Sequence, residues 1–229
     1  QSGVGKSSIL EAGLSPRVMT SYGGSIPYDV VTIRIDPVRG LLDSLRLAYV
    51  EDACREDGSL LSGREAWCQK EARLQQPVIV ILDQLEEAFT HAIGPVPTDW
   101  ELFLNELCQI FNDRTKAPKG KLILSFRTEW FSRINSRLQG LWKSEVFLDC
   151  LDADGIHEAI EGPTRRPELR EYYPLTIQPG LSLRIATELL MDQVSSVAPS
   201  LQIILQALWS EAVKHSRTPV FTEELYRRH

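Results

Sequence analysis

The chain has 229 residues, 43% of them hydrophobic, which suffices for one substantial core or a core with a small appendage and excludes an intrinsically disordered chain. With 25 Lys and Arg against 31 Asp and Glu the formal charge is −6, and no long basic run is present, so a nucleic-acid backbone is not an expected partner. The longest apolar run, Val78 to Leu82, is far too short to cross a bilayer, and no membrane partner is expected. Cys54, Cys68, Cys108 and Cys150 lack C-x-x-C spacing and predict buried free thiols in a reducing compartment, the cytoplasm. The scattered His91, His157, His215 and His229 predict no metal site built from histidines.

The first element is Ser2-Gly3-Val4-Gly5-Lys6-Ser7-Ser8, a phosphate-binding pattern whose opening glycine would stand one residue ahead of Gln1. Gly3 and Gly5 let backbone N–H groups close around phosphate oxygens without a Cβ in the way. Lys6 would then reach the β and γ phosphates, Ser7 would hold Mg²⁺, and the helix starting there would add its N-terminal dipole. The strand that normally leads into such a loop would also precede Gln1.

Downstream, strand and helix alternate in the manner of an α/β domain. A helix over Ser7 to Ala12 is expected to end at Gly13 and Pro16. Val30 to Ile35 reads as a strand, Leu41 to Cys54 as a helix with Leu41, Leu42, Leu45, Ala48 and Tyr49 on one face, and Arg64 to Leu74 as a second helix. Val78 to Leu82 has no polar alternation, as suits a parallel strand covered on both faces. A Gly/Pro loop at Gly94 to Pro97 precedes a helix over Trp100 to Phe111. Leu122 to Phe126 reads as another buried strand, followed by a helix from Glu129 and a short strand at Val146 to Leu148. From about Asp152 the strands are expected to stop. Asp152 to Glu161, Ser182 to Val194, Leu201 to Lys214 and a segment from Thr222 are helical in pattern, punctuated by Gly162-Pro163 and Pro179-Gly180. The expected organisation is an α/β P-loop NTPase core with a parallel sheet over residues 1–151, its first strand outside the sequence, and a small helical lid domain over 152–229.

Two strand ends carry further chemistry. Asp83 terminates the apolar run and suits the Mg²⁺ that bridges β and γ phosphates, while Glu86 or Glu87, just beyond, could orient the attacking water. An acid in that place can also simply cap the next helix. Arg127 leaves the following strand at the same sheet edge, where ligands of open α/β sheets gather. Its guanidinium could sense a γ phosphate, or pair with Glu129 or surface carboxylates instead.

Taken together, Ser-Gly-Val-Gly-Lys-Ser-Ser, Ile-Leu-Asp-Gln-Leu-Glu-Glu-Ala-Phe-Thr, Ser-Phe-Arg-Thr-Glu-Trp-Phe, Ala-Ile-Glu-Gly-Pro and Pro-Ser-Leu-Gln-Ile-Ile-Leu-Gln-Ala-Leu-Trp resemble the nucleotide-binding module of the STAND class of signal-transduction ATPases, in its novel STAND branch. The resemblance implies Lys6 as phosphate lysine, Ser7 as magnesium hydroxyl, Ser8 near the α phosphate, and Ser2, Gly3, Val4 and Gly5 as the loop. It implies Asp83 as magnesium acid, Glu86 or Glu87 as water-positioning acid, Arg127 as sensor and Pro199 as the lid proline that touches nucleotide. Ser200 and Ala198 depart from the residues usual beside that proline. The helical stripe Leu201, Ile204, Leu205, Leu208 and Trp209 reads as ordinary core, and Pro199 can also serve as a helix-start proline.

The function expected is an ATP/ADP switch with slow Mg²⁺-dependent hydrolysis, self-association in the ATP state, and a trigger sensed by flanking domains. The alternatives are a nucleic-acid motor of the AAA+ or helicase kind and a nucleotide-binding scaffold without turnover.

Overall fold

The computed structural model describes residues 5–20, 26–36, 39–49, 59, 61–90, 96–138, 141, 144–172, 174–192 and 196–228, with backbone alone for Thr90, Val96, Pro97, Thr98 and His215. Ser2, Gly3, Val4, Cys54, His91 and His229 lie outside the described residues. The chain divides into two compact units, one of residues 6–146 and one of residues 147–229 with which Gly5 is grouped.

The first unit is organised by a parallel sheet of β1 (Asp29–Arg34), β2 (Val78–Asp83) and β3 (Lys121–Leu124), in that spatial order. Arg34 lies beside Asp83 and Leu82 beside Leu124, so the three strands leave the sheet at one edge. All six residues of central β2 are buried, as its unbroken apolar run predicts. Helices Leu41–Arg46, Gly63–Leu74 and Val96–Phe111 contribute Leu41, Leu45, Ala66, Trp67, Phe103, Leu107 and Ile110 to the core that also holds Val80 and Leu82. Local chemistry sets where these helices begin. Ser62 and Glu65 form a reciprocal capping box, the Ser62 hydroxyl accepting the Glu65 N–H and the Glu65 carboxylate accepting the Ser62 N–H at 3.0 Å. At the start of Leu41–Arg46 the capping carboxylate comes from far away, Asp99 accepting the Leu41 N–H at 2.6 Å.

The entry edge of the sheet is tied by Glu71, a buried carboxylate on Gly63–Leu74. It accepts the N–H groups of Val78 at 3.0 Å, Lys119 at 2.9 Å and Gly120 at 2.7 Å. One side chain therefore joins the starts of β2 and β3 to a helix, satisfying three backbone donors that burial would otherwise leave unpaired.

Several boundaries differ from expectation. The helix after Lys6 passes Gly13 and Pro16, running as Lys6–Ser8, a π-helical segment Ile9–Leu14 and Ser15–Met19. The Ser15 N–H reaches back five residues to Leu10, and Pro16, lacking a donor, falls in the first turn of the segment that follows this register change. The helix from Leu41 ends at Arg46, but tight turns carry it on to Tyr49, so Ala48 and Tyr49 are buried as its stripe predicts. Pro97 sits inside the first turn of Val96–Phe111, where a missing N–H is tolerated. Residues 144–150 form no strand, and Val146 is 85% exposed. Three β-formers do not make a strand without a ladder partner. Nor are the described thiols buried: Cys68 is half-buried and Cys108 and Cys150 are exposed, because Leu107 and Ile110 take the inward positions beside Cys108.

In the second unit Ile156, Ile160, Leu181, Ile185, Leu201, Leu208 and Phe221 form the core of a helical assembly. It also contains a two-stranded parallel ladder, β4 (Thr176–Ile177) with β5 (Val220–Phe221), where no strand was expected. Two-residue strands carry no alternation to read. Ala153–Arg165 runs straight through Gly162-Pro163. Arg165 reaches back across the proline to Glu158 and Glu161 at 3.0 Å each, while Ile156 and Ile160, one turn apart, are buried on the other side of the helix. Glu161 also accepts the hydroxyl of fully buried Ser182 at 2.5 Å, tying that helix to Leu181–Met191. That hydrogen bond, reinforced by Arg165 and His157, holds the Glu161 carboxyl below its usual range. A lowered carboxyl pKa stabilises above the ordinary titration range and is lost as pH falls through the folded value. Ser182→Ala is thus expected to lower stability at neutral pH and to flatten its further loss on acidification, read by urea unfolding from neutral pH to about pH 3.

Candidate functional site

Three segments meet at the exit edge of the sheet. Gly5 has φ +86, a left-handed conformation that glycine adopts without penalty, and Lys6 opens the helical run immediately after it. The Ser7 hydroxyl donates to Asp83 Oδ2 at 2.5 Å, joining positions 76 residues apart. Ser8 is exposed.

Asp83 is 2% exposed, and its second oxygen, Oδ1, is buried without a hydrogen-bond partner. A buried carboxylate oxygen with nothing to accept is costly unless a cation or a water completes it. With the Ser7 hydroxyl beside it, the donor set is oxygen only, as Mg²⁺ prefers. No cluster of three His, Cys, Asp or Glu able to hold a metal occurs among the described residues.

Immediately beyond Asp83 the chain turns through Gln84, a non-glycine residue at φ +58. Such backbone is uncommon for non-glycine residues and costs strain that the surroundings must hold. Here the Leu85 N–H donates to Ser125 O and the Ser125 N–H to Leu82 O, both at 2.9 Å, so pairing between the strand exits continues past the ladder. The turn delivers Glu86, 6% exposed, and Glu87, the half-buried first residue of Glu87–Thr90.

Arg127 follows β3 in extended backbone and introduces the turn Thr128–Trp130. Arg127 pairs with Glu86, whose Oε1 lies 3.1 Å from Arg127 Nε, and its charge also acts on the nearby Glu129 carboxylate. Ser125 is a residue that sequence reasoning missed. Its register position is next to Asp83, its hydroxyl is buried, and it has no hydrogen-bond partner. Its place at the end of a buried strand, two residues before Arg127, was the available signal. Pro199 belongs to the second unit, as the third residue of Val197–His215.

The chain belongs to the family described as Novel STAND NTPase 1, whose model matches residues 1–229. It is a P-loop NTPase nucleotide-binding module. No curated protein is significantly similar in sequence. Among solved structures, the chain is similar to the Aeropyrum pernix ORC2 protein in ADPNP–ADP complexes, with TM-score 0.63 at 14% identity over 100% of this chain and 58% of that one. The Aeropyrum pernix ORC1 protein in complex with DNA gives TM-score 0.58 at 12% identity over 98% and 56%. The ADP form of ORC2 gives 0.58 at 13% over 100% and 59%. These likenesses show the fold, an α/β P-loop NTPase architecture with a helical part, and this chain spans 56–59% of those proteins. No described helix is long and apolar enough to cross a membrane.

Proposed function

We propose that this module is an ATP-operated switch that hydrolyses its nucleotide slowly with Mg²⁺ and self-associates in the ATP state. The observation that carries the reading is the Ser7–Asp83 hydrogen bond beside the orphaned Asp83 Oδ1, because it brings the hydroxyl of the glycine-lysine loop to a buried acid with one oxygen to spare. Lys6 would pair with the β and γ phosphates, Ser7 and Asp83 would hold the magnesium, and the backbone of 2–5 with Ser8 would surround the remaining phosphate oxygens. The metal's chemistry is to neutralise charge developing between the β and γ phosphates. Glu86 or Glu87 would orient the attacking water, and Arg127 would sense the γ phosphate. Residues 6–146 would act as the catalytic core and the helical unit, with Pro199, as the lid.

The switch follows if the two nucleotides favour different arrangements of these parts, since ligand shifts the population toward the state it binds better. Asp83→Asn is expected to weaken ATP binding in Mg²⁺ by about tenfold or more, with little effect when the metal is chelated. Titration calorimetry with and without chelator measures this. Mass in solution with ATP and with ADP tests the switch, whose reading requires a larger species with ATP. Equal masses would refute it, and turnover stimulated by DNA would move the protein to the motor class instead.

A further inference from the structure

Both carboxylate oxygens of Glu86 contact Arg127. Oε1 lies 3.1 Å from Arg127 Nε and Oε2 accepts the Arg127 backbone N–H at 3.3 Å. The two side chains differ in freedom, since that of Glu86 is 7% exposed and that of Arg127 is 51% exposed. The arginine can swing away and the glutamate cannot follow.

A second set of contacts holds the same two segments independently of the ion pair. Phe89, on Glu87–Thr90, stacks on Trp130 with centroids 5.2 Å apart and planes at 16°. The Arg133 guanidinium sits 4.9 Å from the Phe89 ring centre and 5.3 Å from that of Trp130. Loss of the Nε contact therefore leaves the strand exits in place, and the backbone contact to Oε2 keeps the glutamate addressed to this turn.

Resting on the nucleotide-site reading above and deepening it, we infer that Glu86 and Arg127 form an exchange pair that sets the preference for triphosphate over diphosphate. A γ phosphate competes with Glu86 for the guanidinium, and a diphosphate, which has no group there, leaves the pair closed. The pair subtracts from ATP affinity the free energy of opening, and keeps the Glu86 carboxylate engaged until the third phosphate is bound.

The test is calorimetry of the intact protein with the β,γ-imido analogue of ATP and with ADP, both with Mg²⁺. Glu86→Gln keeps the shape and weakens the hold on Arg127, so the analogue-to-ADP affinity ratio is expected to rise about five- to tenfold. Removing a negative charge near phosphates would favour the more highly charged nucleotide even without a pair, and the Arg127→Ala background separates the two causes. There the exchange pair predicts that Glu86→Gln no longer moves the ratio, whereas a general charge effect persists. An unchanged ratio in the single variant, or an equal rise in both backgrounds, overturns the proposal while leaving the nucleotide site intact, provided that Lys6→Ala still removes binding. If neither nucleotide binds the wild type, both readings fail together. Should Glu86→Gln not fold, the wild-type Arg127 Nε–H resonance, identified by its loss in Arg127→Ala, is expected to shift with the analogue and to stay put with ADP. A shift with both, or with neither, refutes the exchange.

Discussion

Lys6→Ala is expected to abolish ATP binding. A lysine ammonium about 4 Å from a phosphate charge contributes roughly 4 kcal/mol at an effective dielectric near 20, which is about a thousandfold in affinity, and a lysine spanning two phosphates does not fall below that. The substitution should leave folding intact, because Lys6 lies outside the apolar core of its unit. Calorimetry on a variant whose unfolding midpoint matches the wild type makes the measurement clean. Undiminished binding would remove the nucleotide site from the Gly5-to-Ser8 turn altogether.

Gly120→Ala is expected to be the most damaging small substitution in the first unit. A Cβ built at Gly120 would stand 1.7 Å from the Val78 carbonyl oxygen and 2.7 Å from Glu71 Oε1. Backbone blocks one side and a buried, fully engaged carboxylate the other, so relief requires the starts of β2 and β3 to separate. That separation gives up ladder bonds and the Gly120 N–H to Glu71 contact, a loss of about 3 kcal/mol or more. Urea unfolding should show a large fall in midpoint. Glu71→Gln, which keeps an acceptor of the same shape, should cost less, about 1–3 kcal/mol. A neutral Gly120→Ala would mean that the strand starts can part freely. Because these residues stand at the entry edge and the nucleotide candidates at the exit edge, the folded fraction of either variant should bind nucleotide normally.

Much of the exit edge was legible because its signals are local. The Val78 to Leu82 run has no polar residue to face water, so it had to be covered on both sides, and the acid that ends it had to leave the sheet at an edge. Gly5, Lys6 and Ser7 carry their chemistry in consecutive covalent positions, and the left-handed φ at Gly5 is one that a glycine there permits. Prolines were read less well. Pro16 and Pro163 look alike as helix breakers, yet both lie within helical runs, because a register shift at Leu10 removes the need for one N–H and the Arg165 bridges with two buried isoleucines sustain the turn around the other.

The roles of the carboxylates were the least legible. Glu71, Glu86, Glu87 and Asp83 are four acids near one strand; their order marks Asp83 as the acid that ends it but neither separates Glu86 from Glu87 nor points to Glu71. Burying a carboxylate requires donors, and those donors come from distant segments: Lys119 and Gly120 for Glu71, Arg127 for Glu86, Ser7 for Asp83. Sequence alone determined that the chain builds a parallel α/β core with a glycine-lysine-serine segment and acidic and basic groups at strand ends, because those features follow from composition and spacing over a few residues. Which acid seals the sheet, which pairs with the arginine and which keeps an open oxygen was decided only by the tertiary structure, because parallel register sets which strand ends, and therefore which donors, come to lie beside each carboxylate.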